Sequence, residues 1–417
     1  MREGLSVTEA QSVVLETTGV LGAETISAWE AAGRVLTESV RATRCHPPAD
    51  CSAMDGYAVR RADLLGASEA RPIGLPVVFE VPAGGQALRR IEPGESARIF
   101  TGAPLPPGTD AVVRQEDTRA ENGRVEILVE PDPREHVRAA GEDFQVGDLL
   151  IEAGTVLGPA HLGVLASIGR SIVAVHQQPT VAILSGGDEL VEPDRVADDG
   201  RIVSSNSYTL AAQCREVGAR PVYLGIAEDT PAAIEARLRA GLRADVIVSS
   251  AGVSVGDHDH VRAVLEKLGC RLLFWGVYMK PGYPLVFGVI EATGTLVFGL
   301  PGNPVSTAVT FEQFVRPALR KLMGHRQLYR PVVKARLSER MKKGRGRMHF
   351  VRVSLTREGA EIVATPTVNQ SSGVLTSLVR GQGLAIFPSE LESLAAGSEV
   401  DVQIIDTGFF DQTERGF

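Results

Sequence analysis

Three short loops concentrate acidic side chains where an anionic ligand could use them. SGGDEL (185–190) carries Asp188 and Glu189, GIAEDTP (225–231) carries Glu228 and Asp229, and GVSVGDHD (252–259) carries Asp257 and Asp259. Each follows a short apolar run. After the third, Val261, Val264, Leu265 and Leu268 recur three and four apart, and Gly269 stands where a left-handed cap would end the helix. Strand, small-residue turn and helix in that order place helix N-terminal amides where they can hold an anion. Carboxylates at the same place oppose it, since two unit charges about 4 Å apart repel by roughly 4 kcal/mol at an effective dielectric near 20. A cation must then lie between them, and Mg2+, which shares carboxylate and phosphate oxygens, is the natural one. Helix capping is the alternative for Asp257 or Asp259. Three acidic loops at one expected sheet edge favour a shared cation site.

A fourth loop, GLPGNPVS (299–306), has no acid. Its Pro301, Gly302 and Asn303 would fix a close backbone approach, with Ser306 near the next helix N-terminus; a rigid strand-to-helix turn is the alternative. Lys280 in YMKPGYP is stiffened by Pro281 and Gly282, and Lys342, Lys343, Arg345 and Arg347 form a glycine-interrupted basic run. Such runs are usually solvated, so these matter only beside the acidic crevice. Asp55 in CHPPADCSAMDGYAVR (45–60) is either a turn residue or an acid displayed on a loop.

The elements that must position these groups follow from patterning. At 417 residues the chain is too long for one typical domain. Residues 6–16 have helical spacing with Ser6 or Thr8 as cap, a second helix is expected over 24–32, and a strand over 34–40. Between 57 and 140, short β-branched runs separated by Gly and Pro indicate a small β domain. A helix near 160–168 and a strand at 171–175 follow. From 179 strands and helices alternate: strands at 180–184, 222–226, 246–248, 272–275 and 284–290, and helices over 206–217, after Thr230-Pro231, 259–268 and 305–323. That alternation argues for a parallel sheet covered on both faces, its ligand site at the strands' carboxyl ends. After 329, short alternating runs indicate a small barrel or sandwich, and the last residues read as a frayed tail.

Composition excludes several classes. Lys plus Arg total 43 against 51 Asp plus Glu, a formal charge of -8, which disfavours a general nucleic-acid or anionic-membrane binder. No apolar run approaches the roughly 18 residues of a membrane span, and the N-terminus lacks a secretion signal's apolar core. Four cysteines form no CxxC pair and eight histidines no HExxH, so a reduced, cytosolic compartment without structural zinc fits best.

Taken in order, SAMDGYA (52–58), FTGAPLPPGTDAVV (100–113), GEDF (141–144), SGGDEL, GVSVGDHD, MKPG (279–282), GLPGNPVS and NQSSG (369–373) resemble the molybdopterin molybdenumtransferase family, MoeA, related to the gephyrin E domain. The resemblance spans nearly the whole chain. It implies an α/β multidomain fold: a mixed linking domain (1–45 and 141–178), a β-rich insert (46–140), a MogA-like three-layer α/β domain with a parallel-rich sheet (179–327) and a C-terminal β barrel (328–406), then a tail. It implies a cytoplasmic homodimer that inserts molybdenum from molybdate into adenylylated molybdopterin with Mg2+-dependent pyrophosphate cleavage and AMP release, in transient contact with a MogA-like adenylyltransferase. Adenylylation of the pterin and a non-catalytic scaffold role are the alternatives.

By motif match, Glu189, Asp229 and Asp259 would hold the metal, and Gly187, Asp188, Gly252, Ser254, Gly256, Pro301, Gly302 and Asn303 the pterin nucleotide. Lys280 would face the anion, while Asp55, Thr101 and Asp143 would serve a partner's crevice. Ser306, Arg347, Arg352, Ser371 and Ser372 match the family's molybdate neighbourhood. The family's usual KPGKP is KPGYP here, so Tyr283 replaces a second lysine and offers one neutral hydrogen bond instead. Gly276 stands where some members have another lysine, and SGGDEL replaces the commoner STGDEL.

Overall fold

A computed structural model describes residues 1–86, 89–195, 200–250 and 260–411, so Gly252, Ser254, Gly256, Asp257 and Asp259 lie outside the described residues. The chain divides into two compact units. One comprises Met1–Thr25, Gly33–Thr37 and Ala174–Phe417, the other Ile26–Ala32 and Glu38–Val173.

The first unit is built on a seven-stranded sheet in the order Arg2–Leu5, Cys270–Val277, Val286–Ile290, Thr295–Leu300, Val246–Ser250, Thr180–Gly186, Arg220–Ala227. All of VIVSS and TLVFGL is buried, the continuous apolar run expected of strands covered on both faces. Alternate side chains feed two cores. Val181, Ile183, Val246, Val248 and Phe298 pack with Leu210, Cys214, Val305 and Val309. Ala182, Leu184, Ile247 and Val297 pack on the other face with Ile234, Leu238, Val261 and Val264.

The helices follow their caps. Ser6 and Glu9 form a capping box on Val7–Thr17, Thr230 Oγ1 accepts from Ala233 N–H at 3.2 Å ahead of Pro231, and Gly269 takes φ +81° after His260–Lys267.

Two features depart from the parallel sheet expected. The last four strands in the order are mutually parallel, but Val286–Ile290 runs antiparallel to both Cys270–Val277 and Thr295–Leu300. A parallel crossover needs a dozen or more residues. Only Glu291 to Gly294 separate Val286–Ile290 from Thr295–Leu300, and Gly294, at φ +74°, closes the turn by donating to Ile290 O at 2.8 Å. The second departure is the N-terminal strand Arg2–Leu5, which adds parallel to Cys270–Val277 and had no signal in a four-residue polar stretch.

The C-terminal strands close on themselves. Met348–Glu358, Glu361–Pro366, Val332–Leu337, Glu399–Ile404 and Gly383–Phe387 pair in that order, and the last returns to the first. Ala335, Leu337, Val351, Val353, Ala364, Ala385 and Val402 fill this barrel. Met279–Lys280 pairs in parallel with Met348 and His349, tying barrel to α/β sheet. Part of the segment expected to fray is ordered: Asp406 caps a 3-10 turn at Thr407–Phe410, and Arg357 covers Phe409 at 5.4 Å; residues 412–417 lie outside the described residues.

The second unit carries a six-stranded sheet in the order Ala111–Arg114, Gly56–Val59, Ser96–Ile99, Ser68–Val81, Arg124–Val129, Thr118–Glu121, as its β-branched runs predict. Gly56 is required there, because a Cβ would lie 2.0 Å from Val113 O. Helix Pro159–Ser167 forms as expected. The helix expected over 24–32 does not: Ala23–Ser27 is a strand, and Ser27 Oγ caps the 3-10 turn Ala28–Glu30. β-Branched Thr25 and Ile26 favour the extended form. Over 34–40 the structure gives an isolated bridge at Leu36 and the short strand Val40–Arg41. No helix among the described residues is long and apolar enough to cross a membrane.

Phe298 is fully buried at the centre of the large sheet, its ring 4.8 Å from that of Phe287. Phe298→Ala should cost about 3–5 kcal/mol in urea unfolding followed by tryptophan fluorescence.

Candidate active site

Register brings the first two acidic loops together, while the third, 252–259, lies outside the described residues. Ser185 stands opposite Ser250 and Ile226, Gly186 opposite Ala227, and Ser250 opposite Leu300, so the strands ending at Gly186, Ala227, Ser250 and Leu300 finish level at one sheet edge, and the loops that begin at 187, 228 and 301 leave it side by side. The first two touch, with the Asp229 N–H donating to Asp188 Oδ1 at 3.0 Å. Gly187 takes φ +133°, and the Glu189 carboxylate folds over it so closely that a Cβ would meet Oε2 at 2.4 Å. The fourth loop is held from the helix Asn206–Val217, where Asn206 Nδ2 donates to Gly302 O at 2.7 Å, and Thr307 Oγ1 bonds Pro301 O.

Asp188, Glu189, Glu228 and Asp229 are all exposed here. Such hard oxygen donors at a strand-end edge are the set that Mg2+ takes. Among the described residues no three His, Cys, Asp or Glu side chains are grouped to hold a metal, and Asp259 lies outside them. Beneath the edge, Ser250 Oγ is buried without a hydrogen-bond partner.

A second, cationic cluster forms where barrel and sheet meet. Arg352 is 1% exposed; its Nε donates to Ser377 Oγ at 3.1 Å and one terminal nitrogen donates to Asn369 O and Ser371 O at 3.3 and 3.1 Å. Its other terminal nitrogen has no partner. Ser372 O accepts from Val305 N–H at 3.0 Å, which sets the 369–373 loop beside buried Ser306. Four of the five expected molybdate residues thus converge. The fifth, Arg347, lies two residues before His349, its guanidinium 4.5 Å from the Tyr283 ring centroid.

Lys280 is exposed and paired in register with His349. Gly282, at φ +106°, lets this turn approach Thr310, whose Cγ2 would lie 2.5 Å from a Cβ. Burial pulls Arg352 down to about 10. Burial, with the charges of Lys280, Arg352 and Lys343, pulls His349 down to about 4.

In the second unit, Asp55 and Thr101 form a pair. Asp55 Oδ1 accepts from Thr101 N–H and from its hydroxyl, both at 2.8 Å, and these bonds, the backbone one first, hold the carboxyl below its ordinary range. Asp143 is exposed on the following segment, its N–H donating to His46 O at 3.0 Å, without a hydrogen bond to that pair among the described residues.

An acidic and glycine-rich strand-end edge and a separate cationic cluster thus stand on one α/β sheet and the barrel joined to it. The chain matches the MoeA N-terminal region (domain I and II) over residues 5–169, a probable molybdopterin binding domain over 182–321 and the MoeA C-terminal region (domain IV) over 334–405. It belongs to the MoeA family. It is 41% identical over 381 residues to a molybdopterin molybdenumtransferase of Nostoc sp., covering 90% of this chain and 87% of that one. It is 36% identical over 403 residues to molybdopterin molybdenumtransferase 2 of Mycobacterium tuberculosis, covering 95% and 98%. A crystal structure of the molybdopterin biosynthesis MoeA protein of Pyrococcus horikoshii superimposes with TM-score 0.82 at 32% identity, covering 96% of this chain and 99% of that one.

Sequence reasoning missed Asn206, Ser250 and His349. Asn206 had a signal, an amide at a helix start, where it competes as a cap. Ser250 and His349 had none, because an unpartnered buried atom is visible only in three dimensions.

Two outcomes follow from these environments. His349 is neutral in the folded protein down to about pH 4, whereas the unfolded chain takes up that proton near 6.5. The unfolded state therefore binds more protons between those values, and stability falls as pH drops from about 6.5 to about 4. Melting temperature against pH should be flatter in that window for His349→Leu. Thr101→Val removes one of the two bonds to Asp55, and carboxyl NMR titration should show the Asp55 pKa move up.

Proposed function

We propose that the strand-end edge holds the nucleotide and pyrophosphate of adenylylated molybdopterin and that the Arg352 pocket holds molybdate, in an enzyme that inserts molybdenum into the pterin and releases AMP. Molybdenum cofactor biosynthesis by a transferase is the function of the named relatives across nearly their whole length. The observation that supports the site best is the contact between two acidic loops, Asp229 N–H to Asp188 Oδ1 at 3.0 Å, on the edge where the Pro301-Gly302-Asn303 turn also begins.

The chain's own groups divide the work. The backbone at Pro301 to Asn303 allows close approach of phosphate oxygens, with Pro304–Thr310 starting directly behind it, while the missing side chain at Gly187 makes room for the Glu189 carboxylate. Ser250 Oγ, already desolvated, is a ready partner for a polar ligand atom. Glu189 and Asp229, with Asp259, would hold Mg2+, which when bound supplies charge neutralisation and polarises the phosphoanhydride. Lys280 meets negative charge from the barrel side. For the oxyanion, the unpartnered Arg352 nitrogen and Ser306, Ser371 and Ser372 give cationic and neutral donors without a carboxylate to compete. Asp55, held ionised by Thr101, and Asp143 complete the proposal as acids acting at a partner's crevice.

The same proposal includes a cytoplasmic homodimer, transient contact with a MogA-like adenylyltransferase, and the four-part division at residues 45/46, 140/141, 178/179 and 327/328.

Incubation with adenylylated molybdopterin, Mg2+ and molybdate should release AMP only when molybdate is present. Glu189→Gln and Asp229→Asn should each slow release by roughly ten- to a hundredfold while leaving nucleotide binding within a few fold. Release independent of molybdate, or unchanged in both variants, would count against the assignment, and net ATP consumption would instead indicate adenylylation.

A further inference from the structure

The departure at residue 283 has a structural counterpart. Tyr283 is half-buried in a closed turn: Gly276 N–H donates to Leu285 O at 2.8 Å and Val277 N–H to Tyr283 O at 3.0 Å. Its ring lies across Gly276, where a Cβ would come within 3.3 Å of Cζ and Oη. Trp275 meets it edge-on at 5.6 Å, and Tyr278 lies tilted against it at 5.8 Å. An aromatic at 283 and a glycine at 276 are therefore one packing solution, and the product is a ring whose face is covered by the Arg347 guanidinium at 4.5 Å.

Arg345, two residues away, is paired with Glu392 at 3.3 Å, whereas no carboxylate pairs with Arg347 among the described residues. The difference matters chemically. A carboxylate fixes a guanidinium by neutralising it and occupying its N–H donors. An aromatic face fixes it through the ring quadrupole and leaves both the charge and the donors for another anion. Arg347 also sits two residues from His349, which is in register with Lys280, so the stacked pair belongs to the same strand junction as the lysine.

We infer that Tyr283 is a positioning residue that holds Arg347 as a further oxyanion-binding cation besides Arg352, in place of the charge that a lysine at 283 would carry. This rests on the molybdate reading above. The ligand class is a tetrahedral dianion, molybdate or tungstate, and Tyr283 acts through Arg347.

Titration calorimetry of the full chain with sodium molybdate tests it. Tyr283→Phe keeps the ring and should bind within about twofold of the unaltered protein, while Tyr283→Leu and Arg347→Ala should each weaken binding roughly five- to tenfold. The double variant should be no weaker than Arg347→Ala alone, since both remove one interaction. In AMP release, Tyr283→Leu should raise the molybdate KM with kcat nearly unchanged, a split that general loosening of the turn would not give.

Unchanged affinity in Tyr283→Leu, or additive losses in the double variant, overturns the inference and leaves the molybdate reading standing. Should Tyr283→Leu fail to fold, exposed Arg347→Ala still decides: unchanged affinity there also overturns it. Absence of molybdate binding in the unaltered protein overturns both.

Discussion

The register of four parallel strands is the constraint on which the site depends. Ser185, Ser250 and Leu300 stand level, and the described loops beyond Gly186 and Leu300 start from that level. Side chains alternate along a strand, so a slip of one residue would turn Ile183 and Val248 out of one core and Ala182 and Ile247 out of the other. Core packing on both faces thus fixes where the acids emerge. The chemistry needs no further device to bring Asp188 and Asp229 together.

Charge is handled in two ways that the partners distinguish. Arg330 is buried, and although burial pulls its pKa down, hydrogen bonds to Glu312 and Glu216 push it up. Its charge is spent inside the fold, on Glu312 at 2.9 Å and Glu216 at 2.7 Å. Arg352 is equally buried but is met by carbonyls and a serine hydroxyl, and Arg347 by a ring. Neither is neutralised. In a chain of formal charge -8, an anion must find positive charge that is local and unpaired, and under the proposed function these two arginines are the ones that would supply it.

Much of this was legible in the sequence, for reasons that differ by element. The helix Asn206–Val217 and the strand Val246–Ser250 were plain because apolar period and flanking caps agree. That the 187 and 228 loops leave one edge together was legible because each follows a strand of the parallel set. The strand at Arg2–Leu5 was not, since REGL has no period of its own and pairs only because Cys270–Val277 offers an edge. Residues 24–32 misled because helical spacing and extended preference coincide there, and Thr25 and Ile26 with the Ser27 cap decided for the strand and short turn. The resemblance named Arg347 and Arg352, but not that one is stacked on Tyr283 and the other buried with a free nitrogen, because partners are tertiary facts.

Buried atoms without partners give the same conclusion by an independent route. Among the described residues they are Gln213 Oε1, Ser250 Oγ, His349 Nε2 and a terminal nitrogen of Arg352. Each costs the fold about 1–3 kcal/mol, more where the group is charged. Gln213 is explained locally, since its amide nitrogen is committed to Glu312 and Ala308 O and its oxygen is left over. The other three have no such excuse in the packing. Ser250 ends a central strand at the acidic edge, and His349 and Arg352 flank the junction that carries Lys280. All three lie beside elements proposed above to meet ligand, and a ligand atom reaching any of them would supply the missing hydrogen bond.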